Sequence, residues 1–313
     1  MATDVSVRLA PGRPERPGTR GMDAGAEGLA RSALGVFASV ERACTRFDPT
    51  SPLMRANARP DRWHRVPPVL FAALRRAQQA HVATAGRFDP RVFADLIELG
   101  YRTSLPFGKE EVRTAAVSAR RASGRGRPPW RPRFRFGRCE VHLGGDAVDL
   151  GGLGKGLAVR WSSELLRESA PNHLVDAGGD SYCSGVAPEG IPWRIGVEDP
   201  TGGGEPVAVL ALRDAAVATS SIRVRRWRAG AEEVHHLIDP RTGRPGGAGL
   251  VAVTTVGRDP ASAEVWSKAL FLAGAGNIAN EARRRGLAAL WVRDDGSFET
   301  SPAIERFVLW RRS

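Results

Sequence analysis

The stretch Asp149-Leu-Gly-Gly-Leu-Gly-Lys-Gly156 combines a carboxylate, four glycines and a lysine. It follows Ala147-Val148, an apolar pair that predicts the end of a strand. Glycine lets a backbone approach a ligand closely, and a helix N-terminus offers N–H groups to phosphate. The spacing matches neither a Walker A loop nor the dinucleotide-binding motif, so a phosphate site and an ordinary structural turn are both open. A helix is predicted next by apolar residues spaced four apart, namely Leu153, Leu157, Trp161 and Leu165.

Composition narrows the class of protein. The chain has 313 residues, enough for a sizeable core, and a formal net charge of +12 that favours an anionic partner such as nucleic acid, a membrane surface or a phosphorylated ligand. Its three widely spaced cysteines form no zinc pattern and favour a reducing compartment, so we expect a cytoplasmic protein. No apolar run predicts a signal peptide or a membrane span.

Periodic patterns predict a mixture of strands and helices without regular βαβ alternation. We therefore expect a single α+β domain over 1–313, with a mainly antiparallel sheet flanked by helices. Two stretches rich in Gly, Pro and Arg, 11–28 and 120–133, are predicted to be flexible loops. A strand pair is expected around Gly144-Gly145-Asp146, within 140–150. The remaining predicted elements include a strand at 5–9, helices at about 27–46, 68–84 and 261–272, and strands at 173–177, 207–212 and 250–256.

An arginine-rich segment at 120–138 interleaves arginine with aromatic residues. Such a pattern can bind nucleic acid through phosphate contacts and stacking. No nucleic-acid-binding motif lies nearby, so we favour a solvated loop that runs into a strand with Phe134 and Phe136 directed inward. An acidic protein is a further partner that this charge would suit.

Six short polar motifs stand out, far apart in the sequence, as expected for a site built from loops on a rigid sheet. In order and spacing they resemble the ApbE-like flavin transferases, the FAD:protein FMN transferases. The resemblance extends from the first strand to the helix at 261–272. The motifs are Phe47-Asp-Pro-Thr-Ser-Pro-Leu-Met-Arg-Ala-Asn57, Gly86-Arg-Phe-Asp-Pro90, Asp149-Leu-Gly-Gly-Leu-Gly-Lys-Gly156, Asp176-Ala-Gly-Gly-Asp180, Ala218-Thr-Ser220 and His236-Leu-Ile-Asp-Pro-Arg-Thr-Gly243.

The resemblance implies an enzyme that splits the FAD pyrophosphate with the help of Mg²⁺, joins FMN to a Thr or Ser hydroxyl of an acceptor protein and releases AMP. It implies His236 as the catalytic base that deprotonates the acceptor hydroxyl, a role that histidine can fill near neutral pH. Asp239 is interpreted as turn architecture, because Asp-Pro starts turns. The positions implied to contact FAD are Met54, Arg87, Phe88, Asp89, Asp149 and Lys155.

The implied metal site departs from the family pattern. The resemblance implies three metal ligands. One is the Gly152 carbonyl, and the other two are an Asp and a Thr or Ser that lie four residues apart on the helix at 261–272. Here those two positions carry Glu264 and Lys268, and protonated lysine offers no lone pair to a metal. Three interpretations are open: Glu264 and Gly152 hold Mg²⁺ with help from Ser267; Lys268 replaces the metal charge; or Glu264 and Lys268 form only an i,i+4 ion pair in a chain that binds FAD without transferring FMN.

Overall fold

The structure is a computed structural model that describes residues 3–10, 22–103 and 127–312. Its helices are α1 (Met22–Cys44), α2 (Pro52–Asn57), α3 (Pro68–Ala83), α4 (Phe93–Glu98), α5 (Gly154–Leu166), α6 (Pro260–Phe271) and α7 (Ile278–Arg285), with 3-10 turns at Pro90–Val92, Phe136–Arg138 and Pro302–Phe307. Its strands are β1 (Val5–Leu9), β2 (Trp63–Arg65), β3 (Arg133–Arg135), β4 (Glu140–His142), β5 (His173–Ala177), β6 (Asp180–Ser184), β7 (Trp193–Val197), β8 (Ala208–Leu212), β9 (Ala215–Ser221), β10 (Arg226–Ala229), β11 (Glu232–His235), β12 (Ile238–Asp239), β13 (Arg244–Pro245), β14 (Leu250–Gly257), β15 (Ala288–Arg293), β16 (Phe298–Thr300) and β17 (Val308–Arg311).

A seven-stranded sheet in the order β1-β5-β6-β9-β14-β15-β16 forms the centre. Every strand pair among the described residues is antiparallel, which confirms the predicted mixed fold with an antiparallel sheet. The β5-β6 hairpin turns through Gly178 and Gly179, with φ of 61° and 89°. A two-residue hairpin loop of the type I′ turn requires positive φ at both central residues, and glycine adopts such angles without strain.

Both faces of this sheet are covered. On one face α5 and α6 pack on the central strands, where Ala216 and Ala218 of β9 contact Ala263 of α6. On the other face the smaller sheet β17-β8-β7 contributes Trp193 and Leu210 to a second core. This double burial explains why β14 is almost continuously apolar or β-branched rather than alternating. No helix in the described parts of the chain is long and apolar enough to cross a bilayer.

The first long helix begins earlier than the sequence predicts. Helix α1 starts at Met22, so the described end of the predicted loop 11–28 is helical, and that part of the prediction is wrong. Two glycines, Gly25 and Gly28, lie within this first part of α1, each costing about 1 kcal/mol relative to alanine. The intervening Ala and Glu residues are good helix formers and offset that cost. Residues 11–21 lie outside the described residues.

The predicted strand pair at 140–150 is also wrong beyond β4, because residues 143–150 form no ladder. Asn57, at the end of α2, provides the missing hydrogen bonds instead. Its Oδ1 accepts from the Val148 N–H at 2.9 Å, and its Nδ2 donates to the Val148 carbonyl at 2.8 Å. One buried amide side chain thus takes the place of a neighbouring strand just before the glycine-rich loop.

Replacing Asn57 by alanine is expected to destabilise the fold by about 2–4 kcal/mol, because a buried backbone N–H and C=O then lose their partners. Urea unfolding followed by circular dichroism measures this change. Asn277→Ala is the matched control, since that exposed side chain makes only a long 3.4 Å bond to Ala273. Equal unfolding midpoints for the two variants would show that Asn57 is not the anchor.

The arginine-rich segment is described only from residue 127, and residues 104–126 lie outside the described residues. Residues 127–132 form no regular structure and lead into β3, but Trp130 and Pro132 within them are buried. Trp130 is buried, its indole donates to the Leu143 carbonyl at 2.8 Å, and its backbone N–H donates to His81 Nε2 at 3.0 Å. Phe134 packs on the core as predicted, but Phe136 is 61% exposed, because the strand ends at Arg135 and the chain turns.

Candidate functional site

A cavity of about 570 Å³ opens where the N-terminus of α5, the ends of β5, β6 and β9, and the chain after β11 meet. This volume lies within the range of small-molecule sites. Of the residues predicted to form a site, the cavity wall includes Arg87, Phe88, Asp89, Asp149, Gly152, Lys155, His236 and Glu264, together with Lys268. Predicted site residues far apart in the sequence, from Arg87 to Lys268, therefore meet around one space. Met54 does not line the cavity.

The glycine-rich loop is held in place by its first residue, Asp149. The Asp149 N–H donates to the Pro90 carbonyl at 2.7 Å, and the carboxylate accepts from Arg46 Nε at 2.7 Å. The Leu150 carbonyl then accepts from Leu153 and Gly154, which begins the first turn of α5. The predicted helix follows the loop as expected, and its N-terminus lies in the wall of the cavity, where an anion is favoured.

Lys155 pairs with a carboxylate rather than standing free. Its ammonium donates to Asp180, which also accepts from the Thr219 N–H at 3.1 Å. Burial alone would lower the pKa of Lys155, but the charges of Asp180 and Glu264 more than compensate and raise it. The lysine is therefore a permanent positive charge in the wall, and Asp180 ties it to the turn after β5 and to β9.

Two Asp-Pro-Arg turns have the same internal geometry, one in the cavity wall at Asp89 and one just beyond it at Asp239. In the first, Asp89 accepts from the Arg91 N–H at 2.9 Å and binds the Arg91 guanidinium through both carboxylate oxygens. In the second, Asp239 makes the same set of contacts with Arg241. The Asp89 carboxylate is thus committed to its own turn and almost fully buried, so its contribution is to fix Pro90, on which the glycine-rich loop rests. Asp239 is turn architecture, as expected.

Near α2, the side chains that line the cavity come from the chain just before this helix, and not from Met54. Met54 lies inside α2, where its Sδ is 3.6 Å from Asn57 Nδ2, whereas Arg46 and Phe47 line the cavity. Met54 belongs to the six-residue helix that follows the loop facing the cavity, and its contact with FAD stays a prediction. In the sequence, the only local signal for Arg46 and Phe47 is an arginine beside an aromatic residue.

Arg46 is an unusual cation. Its guanidinium carbon lies 4.3 Å from the ring centres of both Phe47 and Tyr101, and Nη1 donates to the Tyr101 carbonyl at 2.6 Å. Its side chain is only 5% exposed, and Nη2 has no hydrogen-bond partner among the described residues. Arg87 likewise has a buried Nη1 without a hydrogen bond, 3.6 Å from Glu281. Buried N–H groups without a partner are rare, and here two of them belong to cationic residues of the cavity wall.

His236 lies half-buried in the wall, just after β11. Its Nδ1 is 3.3 Å from the Arg225 carbonyl, and since a carbonyl only accepts, Nδ1 carries the proton and Nε2 is left as the acceptor. Burial lowers the pKa of His236 well below its ordinary value, and the positive charges of Arg225 and Lys268 lower it further. The imidazole is therefore neutral near neutral pH and able to accept a proton at Nε2.

Gly152, Glu264 and Lys268 lie close together, but the Glu264 carboxylate oxygens are already bound by other groups of the protein. Glu264 is 1% exposed; its Oε2 accepts from the Gly156 N–H at 2.8 Å and its Oε1 accepts from Lys268 Nζ at 3.2 Å. The Ser267 hydroxyl is hydrogen-bonded to that of Ser220 at 2.7 Å and donates to the Glu264 backbone carbonyl at 2.9 Å. Among the described residues, no group of three or more His, Cys, Asp and Glu side chains is arranged to hold a metal ion. A divalent cation does not fit unless the Lys268 ammonium leaves.

The histidine next to the site gives the fold a pH dependence. Burial lowers the pKa of His235 to about 4, from 6.5 in an unfolded chain. The unfolded chain therefore takes up this proton first as the pH falls, and the free energy of unfolding decreases between about pH 7 and pH 5, by about 1–2 kcal/mol for this residue. Urea titrations of the wild type and His235→Gln at both pH values measure it. The free energy of unfolding of the variant should change less between the two pH values. An unchanged pH dependence would contradict the assignment of this effect to His235.

Solved structures with the same arrangement of elements define the class to which this chain belongs. The ApbE protein of Thermotoga maritima superposes with a TM-score of 0.80 at 25% identity, covering 95% of this chain and 94% of that one. The flavinyl transferase ApbE of Pseudomonas stutzeri superposes with a TM-score of 0.77 at 20% identity, covering 97% of each chain. The fold is therefore that of the ApbE flavin transferases.

The chain belongs to the ApbE family, whose family model matches residues 1–291. Among curated relatives, the FAD:protein FMN transferase of Escherichia coli K12 is 32% identical over 167 residues, which is 52% of this chain and 48% of the relative. The FAD:protein FMN transferase of Rhodobacter capsulatus is 29% identical over 243 residues, or 76% of this chain and 45% of the relative. The matched parts thus span about half the length of these relatives.

Proposed function

We propose that this chain is an FAD:protein FMN transferase, with the cavity as its FAD site. The observation that carries the proposal is the pair of buried guanidinium N–H groups without hydrogen bonds, on Arg46 and Arg87, two residues that line a cavity of suitable size. Such groups call for an anionic or strongly accepting ligand, and the pyrophosphate and adenine of FAD offer both. The names of the curated relatives support the same activity.

The roles proposed for the residues follow from their geometry. The N-terminus of α5 and Lys155 favour the negative charge of the pyrophosphate, and Phe88 and Arg87 line one end of the cavity. Asp149 is proposed to act through the loop, because its carboxylate is held by Arg46. Met54 and the carboxylate of Asp89 are proposed to act indirectly, through α2 and through the Pro90 turn.

The transfer step balances without a redox partner. The acceptor hydroxyl oxygen forms a bond to the phosphorus of the FMN half of FAD, and the bond from that phosphorus to the bridging oxygen breaks. AMP leaves with the bridging oxygen, and the hydroxyl proton passes to His236 Nε2. The base is available because burial and nearby cations keep the imidazole neutral. The acceptor is proposed to be a protein with an accessible Thr or Ser, and the enzyme a single cytoplasmic domain.

The proposed reaction does not include Mg²⁺. Its predicted ligands, Gly152 and Glu264, are close together, but the carboxylate oxygens of Glu264 are used by Gly156 and Lys268. The proposed activity therefore rests on FAD and on the side chains of this chain.

The test is incubation with FAD and a threonine-bearing acceptor peptide, with AMP measured by chromatography and the peptide by mass spectrometry. We expect AMP and flavinylated peptide in equal amounts, and no labelling of the same peptide with valine in place of threonine. If FAD binds but no AMP is released with any acceptor peptide, the chain is instead a homologue that has lost FMN transfer activity. Absence of both binding and AMP would overturn the proposal.

A further inference from the structure

The Lys268 side chain lies beside both residues that the family resemblance marks as metal ligands. Its ammonium lies 3.2 Å from Oε1 of Glu264, one helical turn away on α6. Its carbon stem runs past Gly152, where an added Cβ atom would lie 3.3 Å from Lys268 Cε and 3.0 Å from the Phe88 ring. One lysine thus spans the space between the glycine-rich loop and the acidic side chain of α6.

The contact is more than a surface ion pair. Glu264 is 1% exposed and the Lys268 side chain 16% exposed, so both charges are largely out of water. The second carboxylate oxygen is bound to the Gly156 N–H, so the carboxylate is fixed in place from both sides. A buried carboxylate that loses its cation is strongly destabilised, and Lys268 is therefore the resident counter-charge of Glu264.

The position of this ammonium also suits a ligand. Lys268 lines the same cavity as Lys155 and the first turn of α5, where the proposed function places the pyrophosphate. Lysine is a compact point charge with three N–H donors. Beyond the Glu264 contact it retains further donors for an anion in the cavity.

We infer that Lys268 takes the place of the divalent cation in this chain, so that its ammonium contacts the FAD pyrophosphate and FAD binding needs no metal. This inference rests on the proposed function. The ammonium neutralises charge on the phosphate oxygens while AMP leaves, and Glu264 positions it. Lysine supplies one positive charge where a divalent ion supplies two, and Lys155, in the same wall, adds another.

The direct test is FAD titration of the wild-type chain, followed by quenching of flavin fluorescence, in EDTA and in MgCl₂. We expect dissociation constants that agree within about twofold. Binding that appears only with Mg²⁺, or that tightens about tenfold or more, would overturn the inference and leave the proposed function standing. Absence of binding in both buffers would overturn the two together.

Two variants give a readout that does not depend on activity. Lys268→Thr restores an oxygen ligand and leaves Glu264 without its cation, so we expect a lower melting temperature in EDTA that rises on addition of Mg²⁺, and a Mn²⁺ electron paramagnetic resonance signal that broadens on binding. The wild type should show neither response. Arg293→Thr is the matched control, because it also removes a cation from a carboxylate, that of Glu299, at the surface. Mn²⁺ binding by the wild type equal to that of Lys268→Thr would contradict the inference.

Discussion

Replacing Gly156 by alanine is expected to destabilise the fold by about 3 kcal/mol or more. A Cβ atom at this position would lie 2.6 Å from the Pro260 carbonyl oxygen and 2.8 Å from Ala261 Cα, both of which are backbone atoms at the start of α6. Backbone cannot rotate aside as a side chain can, so α5 and α6 would have to separate. The close approach of the two helices is also what brings Glu264 to the Gly156 N–H.

The same loop offers a matched control for this prediction. Gly154 lies two residues away in the first turn of α5, and an added Cβ meets no atom within 4 Å. Gly154→Ala should therefore be neutral or slightly stabilising, by less than about 1 kcal/mol. Urea unfolding midpoints of both variants measure the difference. Equal midpoints would show that the contact between the helices does not depend on the missing side chain.

Replacing His236 by alanine is expected to lower FMN transfer by about 10²–10⁴-fold while FAD still binds, because the variant removes the base and little of the wall. AMP release with a threonine-bearing peptide measures the first effect, and flavin fluorescence the second. His235→Gln is the control, since His235 packs on Phe271 at 5.9 Å and does not line the cavity. An active His236→Ala variant would remove His236 from the mechanism.

The pH dependence of transfer follows from the same residue. Because the pKa of His236 lies well below 6.5, the base is already unprotonated near neutral pH. The contribution of His236 to the rate should therefore be constant from neutral pH upward and be lost only as the pH falls into the acid range. A rate that rises through neutral pH would have to be assigned to another group.

Local sequence signals predicted the parts of the fold that depend on local physics. The first strand and the helix α3 follow from alternation and helical periodicity. The helix after the glycine-rich loop was predicted from residues spaced four apart, but such a row drifts about 40° per step around a helix of 3.6 residues per turn. Leu153 and Leu157 are accordingly buried, whereas Leu165 is 43% exposed.

Long-range contacts account for what the sequence did not predict. Asn57 binds Val148 across 91 residues, so no local pattern distinguishes an anchored extended segment from a strand. The unpartnered N–H of Arg46 exists only because Phe47 and Tyr101 enclose the guanidinium. The pairing of Glu264 with Lys268 was one of three interpretations left open by their i,i+4 spacing, and its burial beside Gly152 depends on the packing of α5 on α6.

The cavity beside the glycine-rich loop is proposed to bind FAD, and every role proposed for its residues depends on that binding. Equilibrium titration of the wild-type chain with FAD, followed by flavin fluorescence and repeated with ADP as a competitor, tests it most directly. We predict saturable binding of one FAD per chain that ADP displaces, because ADP shares the adenosine and pyrophosphate groups. The absence of saturable binding, or binding that ADP leaves unchanged, would contradict the claim.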